Sequence, residues 1–309
     1  MASSTLASDI HKKNDSWLKT FLKNNSAWSR FLENRLAVIS LIFIIIFILI
    51  AIIGPFFTVD PTAIEMRRPE GDLILKPPFP PSAKNFFGTD QLGRDIFARV
   101  LLGLRTSLIV GVIVRGLTMV AGIVIGLISG YFGGKIDNII MRITDIMLVF
   151  PVLLLAMTIT AILGPGLLTV CVALVLVAWP DVARLVRGQV LYIKEQEYIE
   201  ASRSLGAKDF RLIFKHILPN CLGPIIVSFS MGIPGAIMYE AGLSFFGYGI
   251  QPPMPSLGSI IADGRGYIMP APWYPGFPGV VLTLLVLSFN LFGDGLIDAV
   301  NPKSKKRTG

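Results

Sequence analysis

Charge is scarce in this sequence. Asp, Glu, Lys and Arg together make up 16% of the 309 residues, whereas about a quarter of the residues of a soluble domain are charged. Apolar residues take their place, at 53% of the chain and a mean hydropathy of +0.67. These values exclude an ordinary soluble domain and indicate a protein that crosses a membrane several times. The net charge of +8 then reports on membrane topology, because no basic run is interleaved with aromatic residues as nucleic-acid binding would require.

Cysteine and histidine are equally scarce, with two of each. Cys171 and Cys221 lie in or beside apolar runs, which favours packing residues over a disulfide or a metal pair. His11 and His216 have no cysteine or carboxylate at ligand spacing, so we expect no bound metal. No combination of Ser, His, Asp or Cys indicates hydrolytic chemistry either. The sequence therefore predicts no catalytic residues and a protein that is not an enzyme.

A nucleotide-binding loop is also missing. The nearest approach is Gly134-Lys135, but Ser129 occupies the position of the first glycine and Ile136 the position of Ser or Thr. We therefore expect this chain to bind no cofactor, and any ATP and magnesium to bind on partner subunits. We also expect no cleavable signal, because the first apolar run is long and lacks a small-residue cleavage site.

Six apolar runs are long enough to cross a membrane. The first, residues 36–57, contains 22 residues and no charge. At 1.5 Å per residue it reaches about 33 Å, and a hydrocarbon core is ~30 Å thick. We expect Pro151 and Pro234 to kink the third and fifth runs. The predicted fold is an all-α polytopic membrane protein with six transmembrane helices, of which the other five are residues 106–129, 139–163, 167–186, 222–246 and 277–299.

The distribution of basic residues orients these spans. Six spans put both termini on one side, and placing that side in the cytoplasm puts 19 of the 28 Lys and Arg residues there. Within the N-terminal tail, a short helix at the membrane interface is predicted from Trp17, Leu18, Phe21 and Leu22. The predicted divisions are a cytoplasmic tail (1–35), a first span (36–57) and an extracytoplasmic loop (58–105). A core of five spans (106–299) follows and contains a cytoplasmic loop (187–220), and the chain ends in a basic cytoplasmic tail (300–309).

Two ionisable residues lie well inside predicted spans, where a charge costs about 2.5–3.5 kcal/mol at mid-membrane. Arg115 lies in the second span and Glu240 in the fifth. They either form a structural ion pair or bind backbone carbonyls, or one of them lines a pore. Glycines also recur every four residues in the second span, which favours close packing against another helix over a hinge; they are Gly122, Gly126 and Gly130.

The longest charged interval between the later spans is residues 187–220, which predicts two short amphipathic helices. Gly206 can end the first helix in the left-handed conformation, and Pro219 is expected to stop the second. One face of the first helix is formed by Tyr198, Ala201, Ser202 and Leu205. One face of the second is formed by Phe210, Ile213, Phe214 and Ile217. Such a pair either lies on the membrane surface or presents small residues to a cytosolic partner.

This interval resembles the EAA loop of ABC importer permeases, which runs Glu-Ala-Ala, three residues, Gly, nine residues, Ile, one residue, Leu-Pro. Ser202 replaces the second alanine and His216 replaces the isoleucine. The matching residues are Glu200, Ala201, Gly206, Leu218 and Pro219. The resemblance implies a coupling helix that sits in a groove of the ATP-binding subunit. The coupling residues that it implies are Glu200, Ala201, Ser202, Leu205, Gly206, Phe210, Leu218 and Pro219.

Three further stretches are similar to dipeptide and oligopeptide permeases. The first is FGTDQLGRD at 87–95, followed by Arg99 and by GLRTSL at 103–108. The second is EAGLSFFG at 240–247, followed by GIQPP at 249–253 and SLG at 256–258, and the third is NLFGDGL at 290–296, followed by Asn301-Pro302. They imply the C-type permease of a peptide importer in the bacterial inner membrane, with the type I ABC importer permease fold, a peripheral first span and half of the pore. The implied partners are a homologous B-type permease, two ATP-binding subunits and an extracytoplasmic peptide-binding protein.

Two alternatives stay open. Importers of nickel, glutathione and opines share these motifs, so the substrate follows from them less directly than the machinery. An ion-coupled secondary transporter would need carboxylates at mid-membrane and, commonly, an internal repeat. We find no repeat, and Glu240 alone is weak support for that reading.

Overall fold

The computed structural model describes residues 25–64, 68–70 and 73–300. The helix predicted around Trp17 and the basic C-terminal tail lie outside these residues. The helices, in chain order, are α1 (Asn25–Glu33), α2 (Arg35–Ile53), α3 (Ile96–Phe132), α4 (Gly134–Val149), α5 (Val152–Leu163), α6 (Leu167–Lys194), α7 (Glu197–Ser204), α8 (Asp209–Arg211), α9 (Leu218–Phe245), α10 (Leu257–Gly264) and α11 (Trp273–Val300). A π-helical segment, Leu212–Ile217, joins α8 to α9, and short 3₁₀ turns cover Gly54–Phe56 and Arg265–Tyr267.

Within the described residues, five helical stretches are long and apolar enough to cross a membrane, and α4 with α5 makes a sixth if this bent pair counts as one span. This confirms the predicted all-α membrane fold. The third span is more than kinked, since α4 and α5 meet at 89°. Pro151 lacks an N–H and forces the residue before it out of the helical conformation. Phe150 is accordingly extended, with φ −85° and ψ 134°.

Helix α3 begins ten residues earlier than predicted, inside the expected outer loop. Asp95 caps it, because its side chain accepts a hydrogen bond of 2.8 Å from the backbone N–H of Ala98. With 37 residues the helix is about 55 Å long and extends well beyond a ~30 Å hydrocarbon core. The predicted extracytoplasmic loop, residues 58–105, included Arg99 and Arg105, but both lie in the helical extension. The fifth span, by contrast, continues through Pro234 without a break in α9.

A small hairpin adds strand structure to the predicted extracytoplasmic segment. Strand β1 (Arg68–Glu70) pairs with β2 (Leu73–Leu75) in antiparallel register, with Arg68 opposite Leu75. The hairpin lies between α2 and α3 in the chain and leaves the helical bundle unchanged.

Helices α3 and α6 are packed through the glycine stripe. A Cβ atom added at Gly122 would lie 2.4 Å from Cβ of Val182, and one at Gly126 would lie 2.6 Å from the carbonyl oxygen of Ala183. At Gly130 the distance to Cβ of Val190 would be 2.8 Å. These contacts are too short for any side chain, so the glycines allow two backbones to approach closely. The prediction of close packing is confirmed.

Helix α2 lies at the periphery of the bundle. In an 18-residue apolar segment of this helix, 28% of the residues are buried, whereas 50% are buried in the corresponding segment of α6. It packs on α11, where Ala37 and Ala299 are both buried in a small cluster with Phe31 of α1. Cys171 and Cys221 are buried without a disulfide partner, each within an apolar cluster, which confirms them as packing residues.

The helical bundle has two ends, which carry different connecting segments. The loop face is the end where α3 and α6 finish and residues 195–220 lie, and the opposite face carries residues 54–64, 76–95 and 246–272.

Candidate functional site

Polar contacts to the end of α3 anchor the loop at 195–220. Lys194, the last residue of α6, donates from Nζ to the backbone oxygen of Tyr131 at 2.6 Å and lies 5.6 Å from the centre of the Tyr131 ring. The Tyr131 hydroxyl donates to Oδ1 of Asp209 at 2.5 Å. The start and the middle of the loop are therefore attached to α3, the helix that packs most closely on α6.

The turn between α7 and α8 has the predicted geometry. Gly206 has φ +84°, in the left-handed region that glycine adopts readily. Its N–H bonds the carbonyl of Arg203 at 2.9 Å, and the N–H of Ala207 bonds the carbonyl of Ser202 at 3.1 Å. A Cβ added at Gly206 would meet no atom within 4 Å. The position is thus constrained by its backbone conformation and open to a partner.

The underside of the loop is a packed apolar layer. Ile199, Leu212 and Ile217 are fully buried, in one cluster with Val186 and Val190 of α6. This layer supports the loop from within the bundle and leaves its other side free.

The free side exposes large apolar side chains among charged ones, since Arg203, Lys208, Arg211 and Lys215 are also exposed. Leu205 is 88% exposed and Phe210 is 72% exposed, and the ring of Phe210 lies 4.4 Å from that of Phe214, which is also exposed. These exposed apolar side chains are candidates for contact with a partner. We name as the loop surface seven of the exposed residues of this loop, which are Tyr198, Glu200, Ala201, Leu205, Gly206, Phe210 and Phe214. Ser202 is half-buried and donates to the carbonyl of Tyr198 at 2.8 Å.

The prediction that Pro219 stops the second helix is wrong. After α8 the backbone widens into the π-helical segment and continues into α9, with Leu218 and Pro219 in its first turn. The N–H of Leu218 bonds the carbonyl of Ile213, five residues earlier. This widening accommodates a proline that has no N–H of its own. The amide of Asn220 donates to the carbonyl of His216 at 2.6 Å.

The same widening changes which residues share a face. Leu212 and Ile217, five residues apart, are buried together, whereas Phe210 and Phe214 are exposed. The predicted single face of Phe210, Ile213, Phe214 and Ile217 is therefore divided between the interior and the loop surface.

The structure does not pair Arg115 with Glu240. Arg115 donates from Nη2 to the carbonyl oxygen and the hydroxyl of Ser228, both at 2.7 Å. Its side chain crosses Gly232 closely, since a Cβ there would lie 1.8 Å from Nε of Arg115. Ser228 and Glu240 are twelve residues apart on α9, or about 18 Å along the axis. The ion-pair hypothesis is wrong, and binding to a backbone carbonyl describes Arg115.

Glu240 instead joins two segments of the opposite face. It is fully buried, and Oε1 accepts hydrogen bonds of 2.7 Å from the hydroxyls of Ser244 and Ser256. Ser256 caps α10, so the carboxylate holds this short helix against the end of α9.

A double-mutant cycle checks this separation. Arg115→Leu and Glu240→Leu are each expected to reduce uptake or folded yield. The first leaves the half-buried Ser228 without its partner, and the second leaves the buried hydroxyls of Ser244 and Ser256 without theirs. We expect their free-energy effects to add within about 0.5 kcal/mol, since the sites share no partner. Thermal unfolding of the four purified proteins measures this. Rescue of Arg115→Leu by Glu240→Leu would show that the two side chains interact after all.

One charged cluster on the opposite face had no predicted role. Asp90 is fully buried, and its Oδ2 lies 2.6 Å from Nε of Arg94 and 3.5 Å from Nε of Arg99. Nη2 of Arg99 lies 3.7 Å from Oδ2 of Asp263 in α10. Burial raises the pKa of the Asp263 carboxyl, and the charge of Arg99 opposes that shift. The spacing of Asp90 and Arg94 was visible in the sequence, but their association with Asp263 depends on the fold.

Comparison with known proteins places this geometry. Residues 122–306 match the family described as binding-protein-dependent transport system inner membrane component. Residues 25–78 match the N-terminal TM domain of oligopeptide transport permease C. The dipeptide transport system permease protein DppC of Alkalihalophilus pseudofirmus is 46% identical over 279 residues, 90% of each chain. The oligopeptide transport system permease protein OppC of Bacillus subtilis is 42% identical over 289 residues, 92% of each chain.

A solved structure shares the fold. The inward-facing MetNI methionine ABC transporter, in its CY5 native crystal form, contains a chain with a TM-score of 0.54 and 25% identity, covering 66% of this protein and 96% of that chain. The bundle of spans with its loop at 195–220 is thus that of an ABC importer permease, a multi-pass protein of the inner membrane. Within that class, the chain belongs to the DppC/OppC family of dipeptide and oligopeptide transport permeases.

Proposed function

We propose that this chain forms half of the translocation pore of an importer for dipeptides or oligopeptides and couples that pore to separate ATP-binding subunits. The observation that carries the proposal is the loop surface, an exposed apolar patch set on a buried layer and fixed to α3 and α6. The family and its relatives' names support the transport of peptides. A homologous B-type permease supplies the other half of the pore, and an extracytoplasmic peptide-binding protein delivers the substrate.

The coupling role follows from the attachment of the loop. A partner that moves the loop surface also moves Asp209 and Lys194, and through them the end of α3. Because α3 and α6 are in backbone contact at the glycine stripe, they respond as one body. ATP and magnesium act on the partner subunits, and this chain contributes no catalytic residue.

Uptake assays test the substrate class. A strain lacking this chain and complemented with it is expected to take up a radiolabelled dipeptide or oligopeptide in an energy-dependent way. The glutathione transport system permease protein GsiD of Pectobacterium atrosepticum is 42% identical over 281 residues, so glutathione is the second candidate. Uptake of glutathione, nickel or an opine without peptide uptake would overturn the peptide assignment and retain the importer.

The proposed orientation has both termini and the loop surface in the cytoplasm. Leu205 is 88% exposed on the loop face, and Met269 is 92% exposed on the opposite face. Because Cys171 and Cys221 are buried, an introduced cysteine dominates thiol labelling. Met269→Cys is expected to react with an impermeant maleimide in intact cells, and Leu205→Cys only after permeabilisation. The reverse pattern would invert the topology.

A further inference from the structure

An apolar groove of about 580 Å³ runs between α2 and α3. Its floor consists of buried side chains from two other spans, Ile233 of α9 and Phe289 of α11. Its rims are exposed side chains, including Ile48 on α2 and Val112 on α3. Of its eleven lining residues all are apolar except one, Arg105.

Arg105 lies at the end of the groove nearest the opposite face. A Cβ at Gly54 would lie 3.0 Å from Leu101, so the end of α2 lies beside the start of α3. The groove is lined by α2 residues between Ile44 and Ile52 and by α3 residues between Arg105 and Ile113. From Arg105 to Ile113 is eight residues, or about 12 Å. One leaflet of a ~30 Å hydrocarbon core is ~15 Å deep. The groove therefore spans most of one leaflet, with its cation at the headgroup level.

The guanidinium of Arg105 is available at this level. The side chain is exposed, and among the described residues it takes part in none of the side-chain hydrogen bonds or ion pairs within the bundle. A cation that has apolar surface on one side and the interface on the other matches a molecule with an anionic head and a hydrocarbon tail.

We propose that the groove is a binding site for one anionic phospholipid of the leaflet on the opposite face. One acyl chain lies between α2 and α3 over Ile233 and Phe289, and the phosphate pairs with Arg105. A helix of a partner subunit is a less suitable occupant, because it would cover Arg105 with apolar surface and leave the charge unpaired. The bound lipid fills the space between the peripheral α2 and the core, and so ties the first span to α3. This inference is independent of the transported substrate.

Native mass spectrometry tests the site on the full chain, purified with its accompanying subunits in mild detergent with equal amounts of phosphatidylglycerol and phosphatidylcholine. The wild type is expected to retain one phospholipid, with about a fivefold preference for phosphatidylglycerol, the ratio expected from one basic side chain near an anionic headgroup. Arg105→Gln should reduce that ratio to about one. Val112→Trp or Ile109→Trp should fill the groove and reduce retention of both lipids.

Matched controls separate the groove from general effects. Arg35→Gln removes another exposed arginine at the other end of α2, and Val120→Trp enlarges a residue of α3 that is 62% exposed and outside the groove; both should behave as the wild type. Wild type without retained lipid, an unchanged preference in Arg105→Gln, or equal losses in Val112→Trp and Val120→Trp would each overturn the proposal. So would efficient cross-linking of Val112→Cys to another protein subunit in membranes.

Discussion

Replacing Gly206 with valine is expected to abolish energy-driven uptake while the protein still inserts into the membrane. Gly206 has φ +84°, a conformation that a β-branched residue holds only with strain of roughly 1–3 kcal/mol. A Cβ there would meet no atom of this chain within 4 Å. The change therefore acts on the shape of the turn and on the partner that approaches it, rather than on the packing of the bundle.

The expected size of the effect on uptake follows from the free energy that is needed to open and close the pore. Shifting a two-state gate from 1:99 to 99:1 takes about 5.5 kcal/mol, and an exposed salt bridge contributes only about 0.2–1 kcal/mol. Packing at the loop surface must supply most of the coupling, so Glu200→Ala should impair uptake less than Gly206→Val. Gly206→Asn is the matched control, because asparagine tolerates positive φ, and it should retain most uptake. Initial uptake rates, normalised to protein in the membrane, measure all three.

The structural consequence of losing the turn is also measurable. We expect the ATP-binding subunits to copurify poorly with Gly206→Val and normally with Gly206→Asn. Wild-type uptake from a stably inserted Gly206→Val protein would show that this loop does not couple ATP hydrolysis to the pore.

Replacing Gly126 with valine is expected to lower the yield of folded protein strongly. A Cβ at this position would lie 2.6 Å from the carbonyl oxygen of Ala183 and 2.8 Å from Cβ of Val186. A backbone carbonyl in the middle of α6 cannot move aside as a side-chain end can, and overpacking of this kind costs about 1–3 kcal/mol. A loss of one or two kcal/mol lowers the ratio of folded to unfolded protein about 5- to 30-fold.

The matched control lies on the same helix. Gly116 is also in α3, but a Cβ there would meet no atom within 4 Å, so Gly116→Val should accumulate as the wild type does. Quantitative blots of membrane fractions and size-exclusion profiles of the solubilised proteins make the comparison. Equal yields of folded protein from the two variants would contradict the packing of α3 on α6.

Much of the fold could be predicted because its causes are local. Apolar runs of about 20 residues define spans, a glycine every four residues defines a packing face, and Gly206 marks a left-handed turn. The sequence predicted a kink at Pro151, because proline has no backbone N–H. The size of the bend depends on how the neighbouring helices pack, and the sequence does not show that. The resemblance to the EAA loop could also be found from the sequence, because its matching residues lie at fixed spacings within a short interval.

Two of the errors originate in contacts between distant segments, and the third is local. The predicted outer loop at 58–105 included Arg99, which lies in α3, and Asp263, far along the chain, approaches its charge. The helical rotation that turns Arg115 toward Ser228 is set by packing and cannot be read from spacing. Pro219 was expected to end a helix, and the π-helical segment before it lets the helix continue.

Coupling at the loop surface is tested most directly by cross-linking in native membranes. Cysteine introduced at Leu205, 88% exposed on the loop face, is expected to form a specific cross-link to an ATP-binding subunit with a short bifunctional thiol reagent, once a cysteine is placed along the groove of that subunit. The yield should change between nucleotide-free and ATP-bound states. Met269→Cys, 92% exposed on the opposite face, should give no such product. Cross-linking to the ATP-binding subunit from Met269→Cys and not from Leu205→Cys would contradict the assignment of the loop surface as the coupling contact.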